Sequence, residues 1–217
     1  MANPTSVTID IVSDVMCPWC YIGKRRLEAA LKQRPDLDVE VRWQPFQLDA
    51  TIPKGGMDRQ EYLNRKFGGP EGAKSIYDTI VKAGETEKIP FAFDLISRSP
   101  NTIDCHRLIH WSKEHGHQDA LVERLFEMYF IEGKDIGDHA VLGEAAQDAG
   151  MDGEKVKELL DSDSDYDTIE QSIASAQKMG VQGVPCFIFD DKYAVSGAQS
   201  PDVIVDVLDQ VAQAQDD

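Results

Sequence analysis

The sequence predicts an α/β fold in which a β-α-β unit opens the chain, a β-β-α unit closes it, and a large all-helical insertion separates the two. Three observations carry this. Val7-Thr8-Ile9-Asp10-Ile11-Val12 is a β-branched run that reads as a buried strand, and Leu27, Ala30 and Leu31 follow it at helical spacing. From about residue 51 to residue 179 the apolar pattern keeps a helical period. The strand period then returns over 180–189 and 193–197, ahead of a last amphipathic segment.

The opening strand runs into Ser13-Asp14-Val15-Met16-Cys17-Pro18-Trp19-Cys20, so a C-x-x-C sits where a strand becomes a helix. Pro18 suits the first helical position, since its missing N–H would have no partner there, and this leaves Cys17 as the capping residue. The first turn of a helix presents unpaired N–H groups and the positive end of its dipole, which favour a thiolate. An ordinary thiol with a pKa of about 8.5 is only about 3% ionised at pH 7, and the thiolate alone attacks disulfides. Cys20, three residues on, returns to the same face, so the two sulfurs can pair, with Cys17 nearer the solvent and Cys20 turned inward.

The first helix is expected to end near Arg34-Pro35, because proline disfavours helix in the residue before it. Val39-Glu40-Val41-Arg42-Trp43 alternates as a second strand, parallel to the first through a right-handed crossover. Helices are predicted over 58–67, 70–83, 101–115, 118–131, 138–149, 153–160 and 165–179. Asn101 reads as an N-cap, and Leu121, Leu125, Phe126, Met128 and Tyr129 form a core-facing stripe. Asp190-Asp191-Lys192 turns a hairpin, and Ser200-Pro201-Asp202 starts a helix with Val203, Ile204, Val207, Leu208 and Val211 on one side. Residues 1–50 and 180–217 form the redox unit under this reading, and 51–179 the helical insertion packed on it.

Of the 217 residues, 41% are hydrophobic and 28% charged, the composition of a globular protein. A net charge of −17, from 22 basic and 39 acidic residues, argues against nucleic acid and anionic membranes as partners. Acidic stretches such as 161–167 read as solvated faces. No stretch approaches the ~18–20 apolar residues of a membrane span. Residues 1–6 carry neither a basic n-region nor an apolar h-region, so a cytoplasmic protein is expected.

Four cysteines are too few for a secreted disulfide scaffold, and a single C-x-x-C beside a strand and helix reads as redox chemistry. Zinc would want a second close pair, whereas Cys105, His106, His110 and Cys186 are scattered, so no metal is expected. His106 and His110, one helical turn apart, read as surface polar residues, and Cys105 as a packed residue of the insertion.

Cys17-Pro18-Trp19-Cys20 after a strand, the helical insertion, and Gly183-Val184-Pro185 entering the next strand together resemble the thioredoxin fold as elaborated in the DsbA family. Ser13-Asp14 and Asn101-Thr102-Ile103-Asp104-Cys105-His106-Arg107-Leu108 are similar to its cytoplasmic FrnE-like branch. The resemblance covers nearly the whole chain. It implies a thiol-disulfide oxidoreductase with Cys17 and Cys20 catalytic, no cofactor beyond their redox-active disulfide, and thiol- or disulfide-containing proteins or glutathione as partners. It further implies that Val184-Pro185 is a cis peptide lying against the C-x-x-C, with Pro18, Trp19, Val184 and Pro185 facing the substrate. By the same resemblance the insertion overhangs the site, where Asn101 or Asp104 would line it.

Two positions depart from the family pattern. The acid often found six residues before the nucleophile is Ile11 here, leaving Asp10 and Asp14 as alternative proton acceptors for Cys20. Cys186 follows the proline, either as a third redox thiol or, by preference, as a small buried hydrophobe. Related kappa-class glutathione transferases and 2-hydroxychromene-2-carboxylate isomerases offer a glutathione-dependent alternative, though serine usually stands there in place of Cys17. A non-enzymatic metal-binding or holdase protein is the other.

Overall fold

The computed structural model describes residues 6–216; the leaderless reading of the first residues therefore rests on positions almost wholly outside the described ones. Strand β1 (Ser6–Ser13), helix α1 (Pro18–Leu31) and strand β2 (Asp38–Pro45) form the opening unit, with β1 and β2 parallel and in register from Ser6 opposite Asp38 to Ser13 opposite Pro45. Strand β5 (Cys186–Phe189) runs antiparallel to β1, with Val12 opposite Cys186 and Ile9 opposite Phe189, and β6 (Tyr193–Ser196) closes the hairpin. The sheet order is β2-β1-β5-β6, and helix α9 (Pro201–Asp216) packs back against α1 and β1.

Between β2 and β5 lie α2 (Arg59–Phe67), α3 (Pro70–Thr86), α4 (Ile103–Ser112), α5 (Gln118–Phe130), α6 (His139–Asp148), α7 (Gly153–Leu160) and α8 (Tyr166–Lys178). Their ends follow from local chemistry. The side chains of Asp58, Asp138 and Asp152 accept the backbone N–H groups of Glu61, Ala140 and Lys155 at 3.0, 2.8 and 3.0 Å, capping α2, α6 and α7. Gly68, at a φ of 73°, ends α2 in the left-handed conformation that glycine adopts without strain.

Four expectations shift, and one element is added. Helix α1 ends at Leu31, ahead of Arg34-Pro35. Helix α4 begins at Ile103, with Thr102 as the flanking residue; Asn101 instead accepts the Ile103 N–H at 3.1 Å from one position further out. Strand β5 starts only at Cys186, because 180–185 form the loop that delivers Pro185. A two-residue ladder, β3 (Met57–Asp58) against β4 (Arg98–Ser99), ties the two ends of the α2–α3 segment together. On α9, Ile204, Leu208 and Val211 are buried but Val203 is 40% exposed, at the edge of the apolar stripe.

Ile9 and Ile11 of β1 meet Tyr21, Ile22 and Leu27 of α1, and the same apolar cluster continues through Leu121, Leu125 and Phe126 of α5. Tyr21 stacks on Phe126 at a centroid distance of 4.9 Å. On the other side of the sheet, Val12, Phe46, Ala176, Val181 and Cys186 form a smaller cluster that α8 covers. Among the described residues no helix is long and apolar enough to cross a membrane.

The acidic stretch 161–167 is more than a solvated face. Arg107, fully buried on α4, donates to the carbonyls of Leu159, Leu160, Ser162 and Ser164 at 2.7–3.2 Å and to Asp104 at 2.7 Å. Asp165 accepts the Trp111 indole N–H at 2.8 Å, and Asp161 meets His139 at 2.8 Å.

Candidate active site

Cys17 holds extended backbone (φ −94°, ψ 112°) immediately before α1, Pro18 occupies the first turn, and no acid stands in that turn to neutralise the helix terminus. The Cys17 N–H bonds the Asp14 carbonyl at 3.0 Å, and the Cys20 N–H bonds the Cys17 carbonyl at 3.0 Å, closing the turn that brings the two sulfurs together. Burial pushes the Cys20 thiol well above the ordinary cysteine range, and the adjoining Cys17 sulfur raises it further. Cys20 is thus a protonated thiol at neutral pH, one turn inside α1 from Cys17 at the helix N-terminus.

The Val184-Pro185 peptide is cis, and the Cys17 thiol donates to the Val184 carbonyl at 3.7 Å. Pro185 is buried, while Pro18, Trp19 and Val184 are half-buried around it. Both cysteines are covered, Cys17 at 3% exposed and Cys20 at 1%, so Cys17 is the less buried of the two by a small margin only. The reason is that Cys17 packs in the main apolar cluster beneath the Val184 loop.

Gly23 explains how α1 approaches that loop. A Cβ at this position would lie 2.9 Å from Pro185 Cγ and 3.1 Å from Phe187 Cζ. Gly23→Ala should therefore cost about 1 kcal/mol net, since overpacking of ~1–3 kcal/mol outweighs the ~1 kcal/mol gain in helix propensity. It should also slow any exchange at Cys17 by displacing Pro185. Urea unfolding together with the reactivity of Cys17 checks this, and a stabilised variant of unchanged reactivity would contradict it.

The two acids considered as proton acceptors are differently committed. Asp10 faces α8 with Val12, turned away from Cys20, and is bound by Arg42 and Gln44 at 2.6 Å each. Asp14 is fully buried and accepts the N–H groups of Met16 at 3.3 Å and Leu48 at 2.6 Å. His106 is not a surface residue. It is 3% exposed, with Nε2 2.8 Å from the Phe46 carbonyl and 3.7 Å from Asp14. Asn101 is likewise engaged with the 47–52 segment, accepting from Gln47 at 3.2 Å and donating to the Ile52 carbonyl at 2.8 Å. Asp14 and His106 thus strap the loop after β2 to the cysteine turn, and Asn101 ties the same loop to the start of α4. Asp104 pairs instead with Arg107 and with His139 at 3.2 Å.

Cys186 lies in the smaller cluster on the sheet face opposite Phe187, and burial raises its thiol above the ordinary range. Strand alternation thereby sends it away from the face that holds α1. Cys105 is fully buried on α4 and donates to the Ile136 carbonyl at 3.0 Å. His110 is exposed. Among the described residues no three His, Cys, Asp or Glu side chains gather as a metal site.

A β2-β1-β5-β6 sheet with paired cysteines at the start of α1, facing a cis-proline before β5, defines a thioredoxin-fold protein with a helical insertion. Its family is correspondingly clear in comparison with known proteins. The chain belongs to the DSBA-like thioredoxin domain family, which matches over residues 8–209. Uncharacterized protein YwbO of Bacillus subtilis is 30% identical over 199 residues, 91% of this chain and 94% of that protein. The crystal structure of a probable DsbA oxidoreductase from Streptomyces coelicolor is similar with a TM-score of 0.85 at 33% identity, covering 94% of this chain and 89% of that one. The cytosolic disulfide reductase DsbM from Pseudomonas aeruginosa, solved with GSH, shares the fold with a TM-score of 0.66 at 19% identity, covering 94% and 98% of the two chains.

Proposed function

We propose that the chain is a cytoplasmic thiol-disulfide oxidoreductase that works through its C-P-W-C dithiol. Cys17 attacks a substrate disulfide to form a mixed disulfide, and Cys20 resolves it, leaving Cys17 and Cys20 oxidised and the substrate reduced; the reverse sequence oxidises a dithiol. The observation that carries this reading is the seating of Cys17 at the N-terminus of α1, its sulfur 3.7 Å from the Val184 carbonyl beside Pro185. Protein thiols and disulfides are the substrate class, held by Pro18, Trp19, Val184 and Pro185. Glutathione is a second thiol partner, a reading supported by the DsbM relative solved with GSH.

Trp19 supplies bulk between the cysteines but no cation, so the reduced form lacks the extra charge stabilisation that makes a strong oxidant. The protein is expected to be less oxidising than periplasmic DsbA, with a potential more negative than about −120 mV. Equilibration with glutathione buffers measures it, and a value equal to or more oxidising than that of DsbA would refute this ranking.

A further inference from the structure

Val184 and Pro185, the segment that faces Cys17, stand outside the β1–β5 ladder, which ends at Cys186 opposite Val12. The turn after β6 holds them instead. The Gly197 N–H donates to the Pro185 carbonyl at 2.8 Å. Gly197 has a φ of 81°, a left-handed conformation that glycine takes without strain. This turn is braced from within, because the Gln199 N–H bonds the Gly197 carbonyl at 2.9 Å and the Gln199 side chain bonds the Ser196 carbonyl at 2.8 Å. A displacement of Ala198 therefore carries Gly197 along, and Pro185 with it.

Arg26 fixes Ala198. It shares a face of α1 with Gly23, one turn earlier, which meets Pro185 itself. Arg26 Nη1 donates to the Ala198 carbonyl at 2.6 Å, and Nε donates to Glu87, at the end of α3, at 2.8 Å. Both side chains are partly buried, which limits the screening of their pairing by solvent. One guanidinium thus joins the helix that carries the cysteines, the turn that holds Pro185, and the insertion. Its donors lie in one rigid plane, so two acceptors are enough to fix its orientation.

We propose that Arg26 is a positioning residue for the capture of protein substrates: through the Ala198 carbonyl it holds the Val184–Pro185 segment in register with Cys17, and Glu87 orients it. This deepens the dithiol reading above and rests on it. Roughly 13 Å of helix separates Arg26 from Cys17, so its loss leaves the helix terminus and its sulfur as they are. What it governs is the backbone edge that an extended protein segment meets beside the sulfur. A small disulfide needs no such edge.

Insulin, turned over with dithiothreitol as reductant, and the small aromatic disulfide dithiobis(nitrobenzoic acid) separate the two demands. Arg26→Ala should raise the KM for insulin at least about fivefold, the scale of one lost hydrogen bond, and leave kcat within about twofold. Its first nitrobenzoate thiolate should appear no more slowly than in the parent, because Cys17 lies beneath the segment that is released. Glu87→Ala should raise the same KM at least about twofold, and the double variant should match Arg26→Ala, since both residues act through one bridge. An unchanged KM in Arg26→Ala, or single effects that multiply in the double variant, would overturn the assignment. So would a kcat that falls as KM rises, or a slower first nitrobenzoate release, either of which marks a merely structural role. Should Arg26→Ala fail to fold, Glu87→Ala alone carries the same test. A parent protein that does not reduce insulin would instead remove the dithiol reading, and this assignment with it.

Discussion

Replacing Cys17 by serine is expected to abolish disulfide exchange, a fall of at least about a thousandfold, because a serine hydroxyl at a helix terminus stays un-ionised and is a poor nucleophile toward sulfur. Cys20→Ser should behave differently. Attack by Cys17 proceeds, but the chain accumulates as a mixed disulfide, since nothing is left to displace the substrate. The asymmetry follows from the environments of the two sulfurs: Cys17 precedes a helix terminus free of acids, whereas Cys20 is enclosed and held as a thiol. Non-reducing electrophoresis reads the trapped species, and dithiol-driven reduction of a protein disulfide reads turnover. Should Cys20→Ser turn over at more than about a tenth of the parent rate, the dithiol mechanism fails and a monothiol, glutathione-dependent reaction is favoured. The partners trapped by that variant in a lysate of its own cells would name the substrates.

Arg107→Ala should be the most destabilising of the single changes considered, costing roughly 3–5 kcal/mol, the range for removing one member of a buried charged network. The guanidinium serves the carbonyls of Leu159 and Leu160 at the end of α7 and of Ser162 and Ser164 beyond it, and it pairs with Asp104. It also lies 5.1 Å from the Trp111 ring. Lysine should not rescue the site, because one ammonium cannot span acceptors that a planar fork reaches. Urea unfolding with circular dichroism measures the loss, and a cost below about 1 kcal/mol would show that water replaces the guanidinium.

The redox turn is legible in the sequence because its parts are contiguous: a β-branched strand, the cysteine pair and a proline at the first helical position need no distant partner to be recognised. Long helices were equally plain, since each repeats its apolar spacing over several turns. The β3–β4 ladder was not, because two residues carry no period. Strand parity already separates Asp10 from Ile11, which explains why Asp10 ends on the α8 face beside Val12. The Asp14–His106 contact and the Arg107 network had no such local signature. His106 and His110 have matching spacing but opposite fates, since only the loop after β2, folding over α4, decides which of them is covered. Acidity over 161–167 signalled solvent, yet it is the backbone carbonyls of that stretch, invisible to composition, that hold Arg107.

Tyr21, Ile22 and Leu27 carry α1 into an apolar mass shared by the sheet and α5. The helix that holds the sulfurs therefore has no private stability, and the dithiol and disulfide forms draw on the same packing. Thermodynamic closure then couples electron affinity to packing: a substitution at Phe126, remote from sulfur chemistry, retunes the midpoint by about 30 mV for each ~1.4 kcal/mol by which it favours one form over the other.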